Sequence, residues 1–226
     1  MEVPIRHPFP LRTTMNGKRK MHNATVIFTD LSGFQRLVLA LGDNKSAALI
    51  DTIFKLFDTL ALEHSLTPLK TNGDQYILYS ASDSVSHQTL PNHSQSPLPL
   101  AVAKSIAFAC AANTVIKHHP VLIKQRCGLR TGIASGNVIS GRSLRQCGAY
   151  DIWGETVNCA AMLEHYTHNN SVALCPTSFA AISPSLKRHF VSTRFKTKIA
   201  EMNAFVAETD FIWHSQCLSG KRRQLH

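Results

Sequence analysis

Apolar positions along the chain change their period several times, and each change marks an element. Residues 24–29 (ATVIFT) are a short β-branched run ending on Asp30-Leu31-Ser32-Gly33, the pattern of a buried strand that enters a tight turn. From 35 to 63, Leu37, Leu41, Leu49, Ile53, Phe54, Phe57, Leu60 and Ala61 recur mostly at three- and four-residue spacing, which predicts a helix broken near Gly42. Residues 69–71 and 75–80 flank Asn72-Gly73 and read as a hairpin. The stretch 82–99, rich in Ser, His, Pro and Gln, reads as a loop insertion, and a second helix follows over 100–118. Strand-like 128–133 and 137–140 flank Ala134-Ser135-Gly136, which predicts a second hairpin. A helix over 155–166 and late strands at 171–174 and 203–207 complete the order. That order fits the α+β class, an antiparallel sheet covered by helices on one face.

Composition narrows the class. At 226 residues, 44% of them hydrophobic and 17% charged, the chain suits one domain with tails. The expected division is a basic N-terminal tail over 1–22, a domain over 23–210 and a C-terminal tail over 211–226. A formal charge of +10 raises nucleic acid as a partner, but the two tails carry +7 of it and residues 23–220 only +3. Charge therefore gives little support to nucleic-acid binding. The longest apolar stretch, 100–116, is interrupted by Lys104, Ser105 and Asn113, so no membrane span is expected. The first 22 residues lack the apolar core of a signal peptide, and a cytoplasmic location is expected. Six widely spaced cysteines without a CxxC pair suit reduced, small buried side chains.

Candidate chemistry begins with two carboxylates. Asp30 stands where the first strand ends and Asp74 in the bend of the hairpin; if strand and hairpin are neighbours, both converge at one end of the sheet. Hard oxygen ligands paired in this way suit Mg²⁺ or Mn²⁺. Taken singly, Asp30 equally suits a helix cap and Asp74 a turn.

Four segments read together carry more. V-I-F-T-D-L-S-G-F at 26–34, L-K-T-N-G-D-Q-Y at 69–76, T-G-I-A-S-G-N-V at 131–138 and Y-D-I-W-G-E-T-V-N-C-A-A at 150–161 resemble, in order and spacing, the catalytic domain of class III nucleotidyl cyclases, the adenylyl and guanylyl cyclase family. The resemblance runs from about residue 24 to 207. No Walker-type GxxxxGK[ST], dinucleotide GxGxxG or GxSxG elbow competes with it.

The resemblance implies a ferredoxin-like antiparallel sheet with helices and a head-to-tail homodimer whose active sites lie across the interface. It implies that Asp30 and Asp74, assisted by the Leu31 carbonyl, hold two Mg²⁺ or Mn²⁺ ions that activate the ribose 3′-hydroxyl and clamp the phosphates of a nucleoside triphosphate. Lys70 and Asp151 stand where adenylyl cyclases place their adenine-reading pair, and guanylyl cyclases usually carry Glu and Cys there, so ATP is the favoured substrate. Lys70 equally suits a solvated strand position and Asp151 a turn cap. Asn158 matches the residue that orients the ribose, Phe34 falls within the first motif on the substrate side, and Lys198, with Lys196, resembles the late phosphate-binding lysine region, although an edge-strand lysine explains these two equally well.

One departure stands out. Where the family carries an Arg one turn after Asn158, this chain has Met162, which cannot donate a hydrogen bond. Losing one such donor typically costs about 10²–10³ in rate. Arg142 or Arg145, close in sequence to Asp151, are candidate substitutes. The expected activity is that of a lyase making a 3′,5′-cyclic nucleotide and pyrophosphate for second-messenger signalling. Two alternatives stand beside it: a UTP or CTP cyclase of a bacterial antiphage system that signals to a separate effector, and a catalytically weak regulatory homologue.

Overall fold

The computed structural model describes residues 18–80, 97–145, 148–197 and 201–212. In chain order the elements are β1 (Lys18–Ser32), α1 (Phe34–Leu41), α2 (Asp43–Glu63), β2 (Thr67–Asn72), β3 (Gln75–Ser80), α3 (Pro97–His118), α4 (Pro120–Lys124), β4 (Gly128–Arg142), β5 (Tyr150–Trp153), α5 (Glu155–Tyr166), β6 (Ser171–Leu174), α6 (Pro176–Ala181), α7 (Pro184–Lys187), β7 (Val191–Lys196) and β8 (Glu201–Glu208). The strands form one sheet in the order β2-β3-β1-β4-β6-β8-β7, with β5 paired to the far end of β4. Among the described residues the pairings are antiparallel except that of β4 with β6. The class is the expected mixed α+β, with a mostly antiparallel sheet.

Helices cover both faces of the sheet, not one. Ile27, Leu31, Leu78 and Ile133 face a large core shared with α1, α2, α3 and α4, whereas Val26, Phe28, Ile77 and Ala134 face a smaller one closed by Ala160 and Leu163 of α5. Central strands apolar on both sides need a cover on each, which is why residues 24–29 read as a continuous apolar run without alternation.

The hairpin expected at Ala134-Ser135-Gly136 does not exist, because β4 runs unbroken through it. Its glycines serve another purpose. A Cβ on Gly132 would lie 2.2 Å from the Ala160 carbonyl oxygen and 2.3 Å from the Glu164 amide nitrogen, and one on Gly136 would lie 2.5 Å from Thr156 Oγ1. These positions let α5 lie directly on the strand, so glycine here marks a close approach and not a turn.

Element boundaries also move. β1 starts at Lys18, six residues before the apolar run, so Lys18, Arg19 and Lys20 of the expected tail belong to the sheet, paired with Gly141, Ser140 and Ile139. Of residues 18–23 only Met21 is buried, so pairing and not burial holds the extension and it leaves no hydrophobic signal. At the other end Ile212 is fully buried in the larger core, so the domain continues past 210. Of the expected insertion over 82–99, residues up to 96 lie outside the described ones, and α3 already begins at Pro97, where proline suits a first helical turn. Leu98–His118 is long and apolar enough to cross a membrane by length and composition. Within the fold its Val102, Ile106, Phe108, Ala109 and Ala112 are fully buried.

Candidate active site

Asp30 and Asp74 meet as the hairpin reading requires. β3 pairs beside β1 with Asp30 opposite Gln75, and the Leu31 amide donates to the Asp74 carbonyl at 3.3 Å. The Asp74 carboxyl is held above its ordinary range, first by burial and then by the negative charge of Asp30. Two partly buried anions that repel each other are a donor set a divalent cation would relieve, and a pair of carboxylates leaves coordination positions for phosphate oxygens and water. Among the described residues no group of three or more His, Cys, Asp or Glu forms a fuller cage. Such a hard-oxygen donor set is of the kind that suits Mg²⁺ or Mn²⁺. Phe34 opens α1, half-buried and packed against the larger core.

Three further side chains belong to this end of the sheet. Arg130 of β4 sits opposite Asp30 in the register, and its Nη2 donates to Asp30 Oδ2. The same Nη2 lies 3.2 Å from Glu164 Oε1 of α5. Gln75 Nε2 donates to Glu164 Oε2 at 3.0 Å. Glu164 is only 5% exposed, and burial followed by the Asp30 charge pushes its carboxyl up to about 7 against the opposing pull of Arg130. Sequence reasoning missed all three. One signal was available: Thr156, Ala160 and Glu164 recur every four residues on the buried face of α5, and a carboxylate in that stripe needs partners.

A second region lies on the same face, where β2, β5 and the start of α5 surround a cleft of about 440 Å³ lined by Phe28, Leu69, Lys70, Gln75, Asp151 and Val157 among others. Lys70 Nζ donates to Asp151 Oδ2 at 2.6 Å. Asp151 is held in strand β5 opposite Gly141, and its Oδ1 accepts from the Ile152 amide at 2.9 Å, which fixes the carboxylate's direction. Asn158 is exposed in the first turns of α5, beside the cleft-lining Val157. Further along the helix, Met162, His165, Gln75 and Thr197 border a neighbouring open cleft of about 470 Å³. No arginine lines either cleft among the described residues. Arg142, at the end of β4 opposite Tyr150, and Arg145, in the loop beyond, are both exposed. Lys198 lies outside the described residues, and Lys196 ends β7. The described cysteines, Cys110, Cys127, Cys159 and Cys175, are free thiols.

The sheet thus carries paired carboxylates at the end of its first strand and a Lys–Asp pair in a cleft nearby. The family profile described as adenylate and guanylate cyclase catalytic domain matches residues 17–204, and the chain belongs to that family. It is 28% identical over 145 residues to an adenylate cyclase of Mycobacterium tuberculosis, covering 64% of this chain and 30% of that protein. It is 25% identical over 160 residues to the human guanylate cyclase soluble subunit beta-2, covering 71% of this chain and 24% of that protein. The chain thus spans less than a third of these relatives' length. Among solved structures, the catalytic core of a rhodopsin-guanylyl cyclase with converted specificity, in complex with ATPαS, superposes with a TM-score of 0.67 at 18% identity, covering 86% of this chain and 99% of that one. The adenylyl cyclase CyaB from P. aeruginosa gives 0.65 at 18% identity, covering 84% and 96%. At such identity these two likenesses show the fold.

Proposed function

We propose that this chain converts ATP to 3′,5′-cyclic AMP and pyrophosphate, as a cytoplasmic homodimer that uses two Mg²⁺ or Mn²⁺ ions per site. The observation that carries the choice of base is the Lys70–Asp151 pair in the cleft: an ammonium donor for a ring nitrogen and a fixed carboxylate acceptor for an exocyclic amine match the adenine edge. Bound at Asp30 and Asp74, with the Leu31 carbonyl assisting, the metal ions would supply Lewis-acid activation of the 3′-hydroxyl and charge neutralisation on the phosphates. The chain's own groups bind and orient. Lys70 and Asp151 fix the base, Asn158 holds the ribose, Phe34 borders the substrate, Lys198 contacts phosphate, and Arg130 offers a fixed positive charge beside Asp30. The 3′-oxygen forms its bond to the α-phosphorus, the bond to the β-phosphate oxygen breaks, the 3′-proton is lost, and pyrophosphate leaves. Homologous cyclase domains form dimers, and in the head-to-tail arrangement the carboxylates of one protomer would face Lys70, Asp151 and Asn158 of its partner. A separate effector would read the product.

The test is turnover by the purified protein with Mn²⁺ and each of the four common triphosphates, with the product identified by mass spectrometry. Cyclic AMP as the main product, lost in Asp30→Ala and in Asp74→Ala, supports the reading; cyclic UMP or cyclic CMP would assign a pyrimidine cyclase. A second reading rests on Met162, which borders the neighbouring cleft and offers no donor: the domain binds nucleotide or a partner domain and regulates. Absence of any cyclic product would favour it.

A further inference from the structure

Asp30 has two cross-strand neighbours, Arg130 on β4 and Gln75 on β3; the first is ion-paired and the second hydrogen-bonded to one side chain that comes from neither strand. That side chain is Glu164. Its Oε1 lies 3.2 Å from the Arg130 nitrogen that also holds Asp30, and its Oε2 accepts from Gln75, the residue that follows Asp74. Arg130 Nη1 reaches α5 a second time, at the His165 carbonyl, 3.5 Å away. The close contact of α5 with Gly132 makes this reach possible.

We infer that Glu164 is a positioning residue for the Asp30–Asp74 carboxylate pair, acting through Arg130 and Gln75, although it is carried by the helix that bears Asn158. A single guanidinium nitrogen divided between two carboxylates neutralises neither fully, so Asp30 keeps lone pairs and charge for a cation. Without Glu164, Arg130 keeps Asp30 as its only carboxylate partner among the described residues and binds it more completely. Gln75 then loses the bond that anchors the hairpin beside Asp74. Glu164 thus keeps Asp30 available as a ligand, and its burial makes the arrangement rigid.

This inference rests on the shared-site homodimer proposed above, and mixing experiments separate the two. In a head-to-tail dimer an Asp30→Ala chain mixed with an Asn158→Ala chain regains activity, because one of the two sites then receives both intact halves. With that control working, a Glu164→Ala chain is expected to regain activity when mixed with Asn158→Ala and to stay inactive with Asp30→Ala. The opposite pairing, or recovery with neither, overturns the inference; a chain that merely misfolds complements neither. Glu164→Gln, which keeps the size of the side chain, is carried through the same mixtures. Independently of activity, Mn²⁺ titrated into the protein and followed by its electron paramagnetic resonance signal is expected to bind about tenfold more weakly to Glu164→Gln than to the parent. Unchanged Mn²⁺ affinity overturns the inference even if the mixing control fails, whereas failure of that control alone removes only the shared-site reading.

Discussion

Lys70 and Asp151, 81 residues apart in the chain, close to 2.6 Å beside the cleft formed by β2, β5 and α5. Each occupies a side-chain position in a paired strand, so the sheet's register sets their separation. A donor and an acceptor held this way discriminate by the cost of leaving one unmet, and such sites reject the wrong partner by up to about 10⁴-fold. Replacing the pair by Lys70→Glu with Asp151→Cys reverses the pattern: a carboxylate accepts from the guanine ring N–H and amine, and a thiol can donate to its carbonyl. The ratio of kcat/KM for ATP over GTP is expected to fall at least about 100-fold in the double variant. A ratio that stays constant would show that the base is read elsewhere.

Gly132 has no room for a methyl group, because both atoms that a Cβ would strike are backbone of α5 and cannot rotate away. Gly132→Ala must therefore push the helix off the sheet. Overpacking of this kind costs roughly 1–3 kcal/mol, and contact with backbone places it at the upper end. The variant should show a lower urea midpoint at an unchanged slope. Because α5 carries both Asn158 and Glu164, its activity should fall further than its stability predicts. Parent-like stability would mean that α5 slides without strain.

Much of this architecture is legible in the amino-acid sequence. The α5 helix runs over the residues its pattern predicts, a hairpin joins β2 and β3 as expected although its turn is Gly73-Asp74 with Asn72 still paired to Gln75, and Gly42 separates α1 from α2. Those signals are local, residing in spacing and turn chemistry. Ala134-Ser135-Gly136 misled because glycine in a strand has two meanings, a turn or a close neighbour, and only the position of α5 decides between them. The short α4, α6 and α7 and the exposed β7 contain too few residues to establish a period. At the candidate site, the approach of Asp30 to Asp74 was legible from the hairpin and that of Lys70 to Asp151 from the motif resemblance. Arg130, Gln75 and Glu164 come from three elements and acquire meaning only when the sheet brings them together.

Glu164 should leave a mark on the pH dependence of stability. Burial and the Asp30 charge push its carboxyl up to about 7 in the folded chain, against 4.5 for the unperturbed group. Between these values the folded chain holds a proton that the unfolded chain has released, so stability falls as pH rises through the window, and the full cost is present above about 7. At about 1.4 kcal/mol per unit, the full cost is on the order of 3 kcal/mol, of which roughly 2–3 kcal/mol develops between pH 5 and pH 8. Asp74 is shifted in the same direction but is common to both proteins, so the comparison with Glu164→Gln isolates one group. Denaturant melts at pH 5 and pH 8 should show the variant gaining on the parent by roughly that amount at the higher pH. A difference independent of pH would mean that Arg130 already holds Glu164 ionised at pH 5.

Met162 offers the most direct test of whether catalysis is limited by a missing donor. It lies one helical turn beyond Asn158, half-exposed at the border of the cleft that Gln75, His165 and Thr197 also line. An arginine introduced there has an open cleft to extend into, and Glu164 lines that cleft as well. A preorganised donor directed at developing negative charge is worth about 10²–10³ in rate, and it acts on the transition state more than on the bound triphosphate. Met162→Arg is therefore expected to raise kcat by at least about tenfold while KM for ATP changes little. If kcat stays at the parent value while the variant folds normally, the charge on the α-phosphate is already met from elsewhere in the dimer. A gain confined to KM would place the new guanidinium on the ground-state triphosphate and leave the missing donor unexplained.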